Sequence, residues 1–445
     1  MEELHGFPYF RVEFNKMGEI VDLQQVKALT DFLHEGETTD LFVISHGWNN
    51  DMEEAHHKLY TPFFQPIRDL LDNGAVAGLE VRKFAVMAVF WPSHKFAEKQ
   101  LIPGGAAGLD SPFTDDFIEE QLEDLKRVLD IPEEQAALEK AKNLVPNLED
   151  SQQARSEFAN LLRSLMPKTI TPDVDGATEF SELPGDELIE VLSQPVTVAL
   201  PIAETGGGAS IGEEGEELSG GGAASIGEFF SGIKAGVAHL MNLVTFYQMK
   251  ERSGLVGSKG VNEVLRSVRK KNPKLKLHLI GHSFGARLVT SAVAGKNDQE
   301  TLKVDSLALL QAGFSHYGFS DNYDDENSSG FFRRVVTSKT VSGPVLISHT
   351  KNDIPISLGY AFASSLMGQV AAGLGDENNK YGSIGRNGAQ KTPEAINEVL
   401  LDLGSPYMFQ AGKLHNLKSD KFIKGHSDIC NNEVAYAILS AVLTT

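Results

Sequence analysis

Cysteine is almost missing from this 445-residue chain, which has only Cys430. A single cysteine excludes a disulfide framework and leaves no CxxC pair for zinc. The HExxH pattern, in which two histidines on a helix bind zinc, is missing as well. The sequence therefore fits a protein of a reducing compartment and predicts no metal site.

Long apolar runs are also missing. The nearest candidate, "GVAHLMNLVTFY" at 236–247, is short and contains histidine and asparagine, whereas a membrane span needs about 18 or more apolar residues. The first residues, "MEELHGFPYFRVEF", lack the basic and apolar regions of a secretory signal. We expect a soluble, cytoplasmic protein without an integral membrane segment.

Positive charge is scarce in one part of the chain. The net charge is −21, and residues 101–228 hold 27 acidic residues against 7 basic ones. Phosphate backbones and anionic membranes both require basic surfaces, so nucleic acid is excluded as a partner and electrostatic membrane binding is disfavoured. A solvated acidic surface explains the excess most simply, and a basic protein partner for this region is the alternative.

The chain does contain short, nearly continuous apolar runs rich in β-formers, which are typical of strands buried on both faces. They lie at 40–48, 83–93, 275–283, 304–313 and 343–353. Helical patterns lie at 23–34, 53–72, 233–270, 284–295, 357–367 and 431–443. This alternation predicts a doubly wound, mostly parallel α/β sheet, with "FPYFRVEFNKMGEIVD" as an edge strand or hairpin.

The acidic region interrupts this alternation. We therefore divide the chain into residues 1–100 and 229–445, the two halves of the α/β core, and a cap-like insertion at 101–228. Apolar residues recur at helical spacing at 118, 122, 125 and 129, and at 154, 158, 161, 162 and 165, which predicts two amphipathic helices. Residues 206–228 are rich in glycine, serine and glutamate and predict a mobile loop. A second apolar stripe, which we expect to pack on the sheet rather than to open as a lid, is formed by Phe230, Ile233, Val237, Leu240, Val244 and Tyr247.

One predicted strand ends at "GHSFG", residues 281–285, and a helical pattern follows at once. A strand, G-x-S-x-G and a helix form a nucleophile elbow, in which the serine hydroxyl stands clear of the sheet. Gly281 and Gly285 leave room for the neighbouring strand and helix. Ser283 is thus a candidate nucleophile, with an ordinary turn as the alternative.

Acyl transfer needs two backbone N–H groups to hold the oxyanion. Phe284, directly after the candidate nucleophile, supplies one. "VISHGWNND" supplies a loop after the first long strand, where Gly47 permits close approach and Trp48 is the candidate second donor. An ordinary strand-to-helix turn at His46 and Gly47 is the alternative.

These motifs together resemble the α/β-hydrolase superfamily, in particular its bacterial lipase-like and esterase-like serine hydrolases. The resemblance rests on "HGWNN" at 46–50, "FWPS" at 90–93 and "GHSFG" at 281–285, in that order, and covers roughly 35–100 and 230–445. The acidic insertion lies where such a fold carries a cap.

The resemblance implies the order serine, acid, histidine. His426, in "GHSDI" before the last helix, matches the family's histidine loop, and His415 is the alternative. Asp353 matches the family's acid after a late strand, although it is also suited to cap a helix at 355–367. Asp321 and Asp324, after the preceding strand, are alternative acids.

The implied function is a serine hydrolase that cleaves carboxylic esters of small molecules or lipids through an acyl-enzyme, without metal or organic cofactor. A thioesterase and a serine peptidase or amidase use the same elbow. A catalytically inactive interaction module is a further alternative from a different class.

Overall fold

The computed structural model describes residues 2–48, 52–93, 113–128, 132–167, 173–174, 177–194, 232–353 and 380–445. The predicted loop at 206–228, the helix at 357–367 and Phe230 lie outside these residues. The strands are β1 (Glu2–Leu4), β2 (Phe7–Glu13), β3 (Asp40–Ser45), β4 (Phe84–Phe90), β5 (Lys276–His282), β6 (Ser306–Leu310), β7 (Val345–His349), β8 (Ala395–Val399) and β9 (Leu414–Lys418).

The described helices lie between and around these strands. They are α1 (Leu23–Glu35), α2 (Met52–Glu54), α3 (Thr61–Asp72), α4 (Asp115–Val128), α5 (Pro132–Leu144), α6 (Gln152–Ser164), α7 (Ala177–Glu182), α8 (Gly185–Leu192), α9 (Ile233–Leu255), α10 (Asn262–Lys271), α11 (Phe284–Ala294), α12 (Arg333–Thr337), α13 (Ile384–Asn387) and α14 (Asn432–Leu443). Segments Ala55–Tyr60 and Val256–Val261 are π-helical, and Val145–Asn147 and Asp298–Glu300 are 3₁₀ turns.

All nine described strands form one sheet in the order β1-β2-β4-β3-β5-β6-β7-β9-β8. Every pair is parallel except β1 with β2. The five strands expected from apolar runs are confirmed as β3 to β7, and the expected α/β sheet is confirmed with them. The N-terminal segment differs in one detail. Strand β1 pairs with β2, so β1 rather than β2 is the edge strand.

Both faces of the sheet are buried, as the continuous apolar runs predict. Along β3, Leu41 and Val43 belong to one hydrophobic core, whereas Phe42 and Ile44 belong to the other. Helices α1, α9, α10 and α11 contribute to the first core, and α3 and α14 to the second. Parallel strands require this two-sided cover, since neither face is polar.

The described part of the acidic insertion continues the first core. Buried residues Leu122, Phe158 and Leu188 lie in the same hydrophobic cluster as Leu240 and Val244 of α9. The described residues of the insertion contain five helices, α4 to α8, where the spacing predicted two, because α5, α7 and α8 are short or weakly amphipathic. Of the apolar stripe, Val237, Leu240, Val244 and Tyr247 are therefore buried in this core, and Ile233 is partly buried against it.

Helix α9 and the insertion approach closely. A Cβ on Gly236 would lie 2.6 Å from the carbonyl oxygen of Ile189 and 2.4 Å from the Ser193 hydroxyl oxygen. Glycine at this position thus allows α8 to pack directly on α9. Among the described residues, no helix is long and apolar enough to cross a membrane.

Candidate active site

Ser283 joins β5 to α11 with a strained backbone. Its φ is 56° and its ψ is −125°, a region that residues with side chains rarely occupy. Such a conformation costs about 1–3 kcal/mol and persists only where the surroundings impose it. Here the Ser283 amide donates to the Leu310 carbonyl at 3.1 Å, and the Ser283 carbonyl accepts from the Gly313 amide at 3.0 Å.

The glycines on either side of Ser283 are required by close packing. A Cβ on Gly281 would lie 2.4 Å from the Cα of Ala286, and a Cβ on Gly285 would lie 2.2 Å from the Ser45 carbonyl oxygen. Helix α11 therefore starts in direct contact with the ends of β3 and β5. Residues 281–285 thus combine a strained serine backbone with close packing between a strand and a helix.

The loop after β3 lies against Ser283. A Cβ on Gly47 would lie 2.5 Å from the Ser283 Cβ and 3.0 Å from its Oγ. Any side chain at this position would thus push the loop or the serine away. This approach is the one that an oxyanion-binding loop requires, because its N–H groups must reach the reacting carbonyl.

Buried His46 fixes the peptide that carries the Trp48 N–H. Its Nε2 accepts from the Trp91 amide at 3.3 Å, so its Nδ1 carries the proton and donates to the Gly47 carbonyl at 2.9 Å. In a trans peptide the N–H points opposite to the C=O, so the Trp48 N–H points away from the His46 ring. Burial lowers the pKa of His46 to about 4, which keeps this ring neutral.

Tyr60 also holds the loop after β3 in place, through its hydroxyl group. Its hydroxyl donates to the Val89 carbonyl at 2.5 Å and accepts from the His46 amide at 2.9 Å. Burial raises its pKa, so the hydroxyl stays protonated. No motif in the sequence marks this role, because Tyr60 lies within the helical pattern at 53–72.

Phe284 is the first residue of α11, and its N–H has no acceptor within that helix. The positive end of the helix dipole adds to its attraction for an anion. Its ring packs with Trp48, at 6.0 Å between ring centroids, and with Phe246 of α9, at 5.2 Å. An aromatic surface therefore flanks the two candidate oxyanion donors.

Asp353 and His426 come together across 73 residues of chain. The distance from His426 Nδ1 to Asp353 Oδ2 is 2.9 Å, with the Asp353 side chain fully buried and that of His426 16% exposed. Asp353 follows β7 and His426 follows β9, and the two strands are neighbours in the sheet. A buried carboxylate on Nδ1 orients the imidazole and stabilises its protonated form.

His282 connects the histidine loop to the elbow. Its Nε2–H donates to the His426 carbonyl at 2.8 Å, and the two rings lie 4.7 Å apart between centroids. Burial, with a smaller effect of the neighbouring His426, lowers the pKa of His282 to about 3. The His426 ring therefore packs against His282, the neutral residue that directly precedes Ser283.

The alternative residues lie in other contacts. His415 is buried in β9, where its Nδ1 lies 3.0 Å from Glu398 Oε2 and its Nε2 accepts from the Gln410 amide. Asp321 lies 3.3 Å from the Arg333 guanidinium, and Asp324 accepts from the amides of its own loop, which lower its pKa. The helix at 355–367 that Asp353 was suited to cap lies outside the described residues.

A second strained residue, which the sequence did not reveal, lies beside the elbow. Gln311 follows β6 with φ of 45°, and its side-chain amide, oriented to donate, places the nitrogen 3.0 Å from the carbonyl oxygens of both Ser348 and Gly385. Two residues later, a Cβ on Gly313 would lie 3.3 Å from the Phe284 nitrogen. Gly313 thus lets the backbone after β6 pass close to the Phe284 nitrogen.

Within the described residues, no group of three or more histidine, cysteine, aspartate or glutamate side chains is arranged to hold a metal ion. In comparisons with known proteins, no family model matches the chain, and neither a curated protein nor a solved structure has detectable similarity to it.

Proposed function

We propose that this protein is a serine hydrolase of the α/β-hydrolase type that cleaves carboxylic esters. The observation that carries the proposal is the strained backbone of Ser283, at φ 56°, between a strand and a helix. A structural turn gains nothing from a serine in this conformation, whereas a nucleophile gains exposure of its hydroxyl. The hydrogen-bonded pair of Asp353 and His426 at the same edge of the sheet supports the proposal.

Ser283 is a weak nucleophile until a base takes its proton. In the proposed reaction, the bond from Ser283 Oγ to the ester carbonyl carbon forms as the hydroxyl proton moves to His426 Nε2. The imidazolium is stabilised by Asp353, which remains ionised. His426 then gives the proton to the leaving alkoxide as the C–O bond breaks, which leaves an acyl-enzyme and a free alcohol.

Water completes the cycle by the same path in reverse. His426 takes a proton from water, the hydroxide oxygen attacks the acyl carbon, and Ser283 leaves with the proton returned by His426. In both halves the carbonyl oxygen becomes negative, and the N–H groups of Trp48 and Phe284 are the proposed donors to it. Loss of one such donor costs about 10²–10³ in turnover.

Labelling with a fluorophosphonate probe tests the proposed nucleophile and base. We expect the wild type to label, Ser283→Ala not to label at all, and His426→Ala to label more slowly by a factor on the order of 10⁴. Ser306→Ala is the matched control, because Ser306 also contacts a histidine but lies at the other end of the strands. It should label like the wild type.

A folded wild type that does not label, or equal labelling of wild type and Ser283→Ala, would contradict the proposal and favour an interaction module. Matched ester, thioester and amide substrates then identify the bond that is cleaved. We expect p-nitrophenyl esters to turn over fastest, and a series of acyl lengths to define the space beside the Phe284 ring. Faster cleavage of the amide would identify a peptidase or amidase instead.

A further inference from the structure

The two loops that carry Asp353 and His426 are joined by the carboxylate of Asp420. Thr350 Oγ1 donates to Asp420 Oδ1 at 2.8 Å, and the Lys351 amide donates to the same oxygen at 3.0 Å. Partial burial opposes ionisation of this group, but the Lys351 and Thr350 hydrogen bonds and the charge of Lys418 lower the pKa of Asp420 overall. One anionic oxygen thus holds the first two residues of the acid loop.

Further hydrogen bonds connect the same two segments. The Asn352 amide side chain donates to the Ile423 carbonyl at 2.8 Å and to the Asp420 carbonyl at 3.2 Å. The Ser419 amide donates to the His349 carbonyl at 2.9 Å, which extends the pairing of β7 and β9 past the strand ends. The acid loop and the segment leading to His426 therefore form one hydrogen-bonded unit.

Arg386 of α13 supports this unit from behind. Its guanidinium donates to the Lys351 carbonyl at 2.9 Å, and its side chain is almost entirely buried. Burial lowers the pKa of Arg386, while the nearby carboxylates of Asp353 and Asp420 oppose that effect. The Arg386 side chain thus connects α13 to the acid loop.

We propose that Asp420 is a positioning residue for the catalytic pair: it acts through Asp353 by holding the acid loop in register with His426. This proposal rests on the proposed hydrolase function. Neither Asp353 nor His426 lies on a regular element, so the 2.9 Å contact depends on the bonds between their loops. A displacement of about 1 Å at a catalytic group can cost about 10²-fold in rate.

The test compares Asp420→Ala, Asp420→Asn and Asp402→Ala in hydrolysis of one p-nitrophenyl ester. Asp402 is the matched control, because it is exposed and its described ion pair is with Lys421. We expect Asp420→Ala to lower kcat about 10²-fold with KM nearly unchanged. Asp420→Asn, whose amide oxygen still accepts both hydrogen bonds, should recover most of this loss. Asp402→Ala should match the wild type within about twofold.

A double substitution separates positioning from a general effect on folding. In an Asp353→Ala background, Asp420→Ala has no acid left to position and should change kcat by less than about twofold, because residues that act as a unit are not additive. A full further 10²-fold loss in that background would overturn the proposal. So would equal kcat values for Asp420→Ala and Asp402→Ala.

The low-field proton resonance of His426 Nδ1–H gives a readout that does not depend on turnover. We expect it in the wild type and in Asp420→Asn, and we expect it to shift or broaden in Asp420→Ala. An unchanged resonance in Asp420→Ala would contradict the proposal. If that variant does not fold, Thr350→Val removes one of the two bonds to Asp420 Oδ1, together with the bond that Thr350 Oγ1 accepts from the Asn352 backbone amide, and should lower kcat about tenfold.

Failure of the function and failure of this inference are distinguishable. An inactive wild type that resists the fluorophosphonate probe contradicts the proposed hydrolase. If activity is lost in Ser283→Ala but unchanged in Asp420→Ala, only the positioning role is contradicted.

Discussion

Two sets of serine, histidine and aspartate side chains lie at opposite ends of the same parallel sheet. At the carboxyl ends of the strands are Ser283, His426 and Asp353. At the amino ends, Ser306 Oγ lies 2.8 Å from His278 Nδ1, and His278 Nε2 lies 2.9 Å from Asp40 Oδ1. The residue types are the same, so the difference between the two sets shows what else a reactive site requires.

The set at the amino ends is built from strands. Asp40, His278 and Ser306 lie on β3, β5 and β6, and their side chains are 6% exposed or less. Both ring nitrogens of His278 are engaged, and Arg82 ties Asp40 to the carbonyl of Thr445 at the last residue of the chain. The register of the strands fixes the positions of these three side chains. Because all three are buried, a substrate has no access to them.

The set at the carboxyl ends is built from the segments that follow the strands. Ser283 lies on a strained connection, and Asp353 and His426 lie on loops whose ends are held by hydrogen bonds. Segments after parallel strands converge at one edge, where a ligand can approach. Strain, partial exposure of the histidine and an adjacent glycine loop therefore distinguish the candidate site from the buried network.

Asparagine substitutions at the two aspartates should separate activity from stability. Asp353→Asn removes the charge that stabilises the imidazolium and should lower kcat by a factor on the order of 10⁴, with a small change in stability. Asp40→Asn removes the carboxylate that pairs with the Arg82 cation and should lower the free energy of unfolding by about 3 kcal/mol, with kcat per folded molecule unchanged. Urea unfolding and ester hydrolysis on the same preparations measure both. Equal losses of activity would contradict the distinction.

Gly47→Ala should disturb only the carboxyl-edge set. The new Cβ would meet the Ser283 side chain at 2.5 Å, so the loop must shift and the Trp48 N–H must move with it. We expect kcat to fall about 10²–10³-fold, as for loss of one oxyanion donor. Gly254→Ala is the control, because a Cβ there meets its nearest neighbour, Arg287 Nε, at an ordinary 3.6 Å. Comparable losses in both variants would show that glycine replacement, rather than approach to Ser283, is responsible.

Acid should destabilise the fold through its buried neutral histidines. Burial lowers the pKa of His46 and His239 to about 4 and of His282 to about 3, and it lowers the pKa of His278 despite the bond to Asp40. Below an unfolded pKa of about 6.5, the unfolded chain binds more protons than the folded one. The free energy of unfolding therefore decreases as the pH is lowered, by up to about 1.4 kcal/mol per pH unit for each such histidine.

His278→Gln should remove one of these contributions. Urea unfolding between pH 7 and pH 5 should give a slope that is shallower by up to about 1.4 kcal/mol per pH unit, whatever the variant's stability at pH 7. A steeper slope in His278→Gln would mean that His278 is protonated in the folded protein, as an ion-pair partner of Asp40.

Much of the fold follows from the sequence, because β3 to β7 are continuous apolar runs that can only be covered on both faces. The sequence did not reveal β8 and β9, and the reason is chemical. "AINEV" at 395–399 is an edge strand with mostly part-exposed residues, and "LHNLK" at 414–418 carries Asn416, whose amide bonds Ala389 and Asn397. A local hydrophobic pattern does not reveal a strand whose polar side chains are satisfied by hydrogen bonds to neighbouring segments.

The strained turn at Ser283 and its flanking glycines were predictable, since the steric demand falls on neighbouring residues within one motif. Asp420 and Gln311 were not, because each acts through contacts between segments that are distant in the chain. Asp420 reaches Thr350 across 70 residues, and no local pattern records that proximity. The same limit applies to Ser306 and His278, whose contact depends on the register of β5 and β6.

Compared with alanine, glycine should make the protein more stable at Ser283 and less stable at Ser306. At Ser283, φ of 56° strains any residue with a Cβ, so Ser283→Gly should be about 1 kcal/mol more stable than Ser283→Ala, although we expect both to be inactive. At Ser306, on a regular strand, glycine gains no relief and loses more chain entropy, so Ser306→Gly should be about 1 kcal/mol less stable than Ser306→Ala. Thermal and urea unfolding of the four variants measure the difference. The same sign at both serines would mean that the backbone of Ser283 is unstrained, and that its place on the elbow gives the hydroxyl no special exposure.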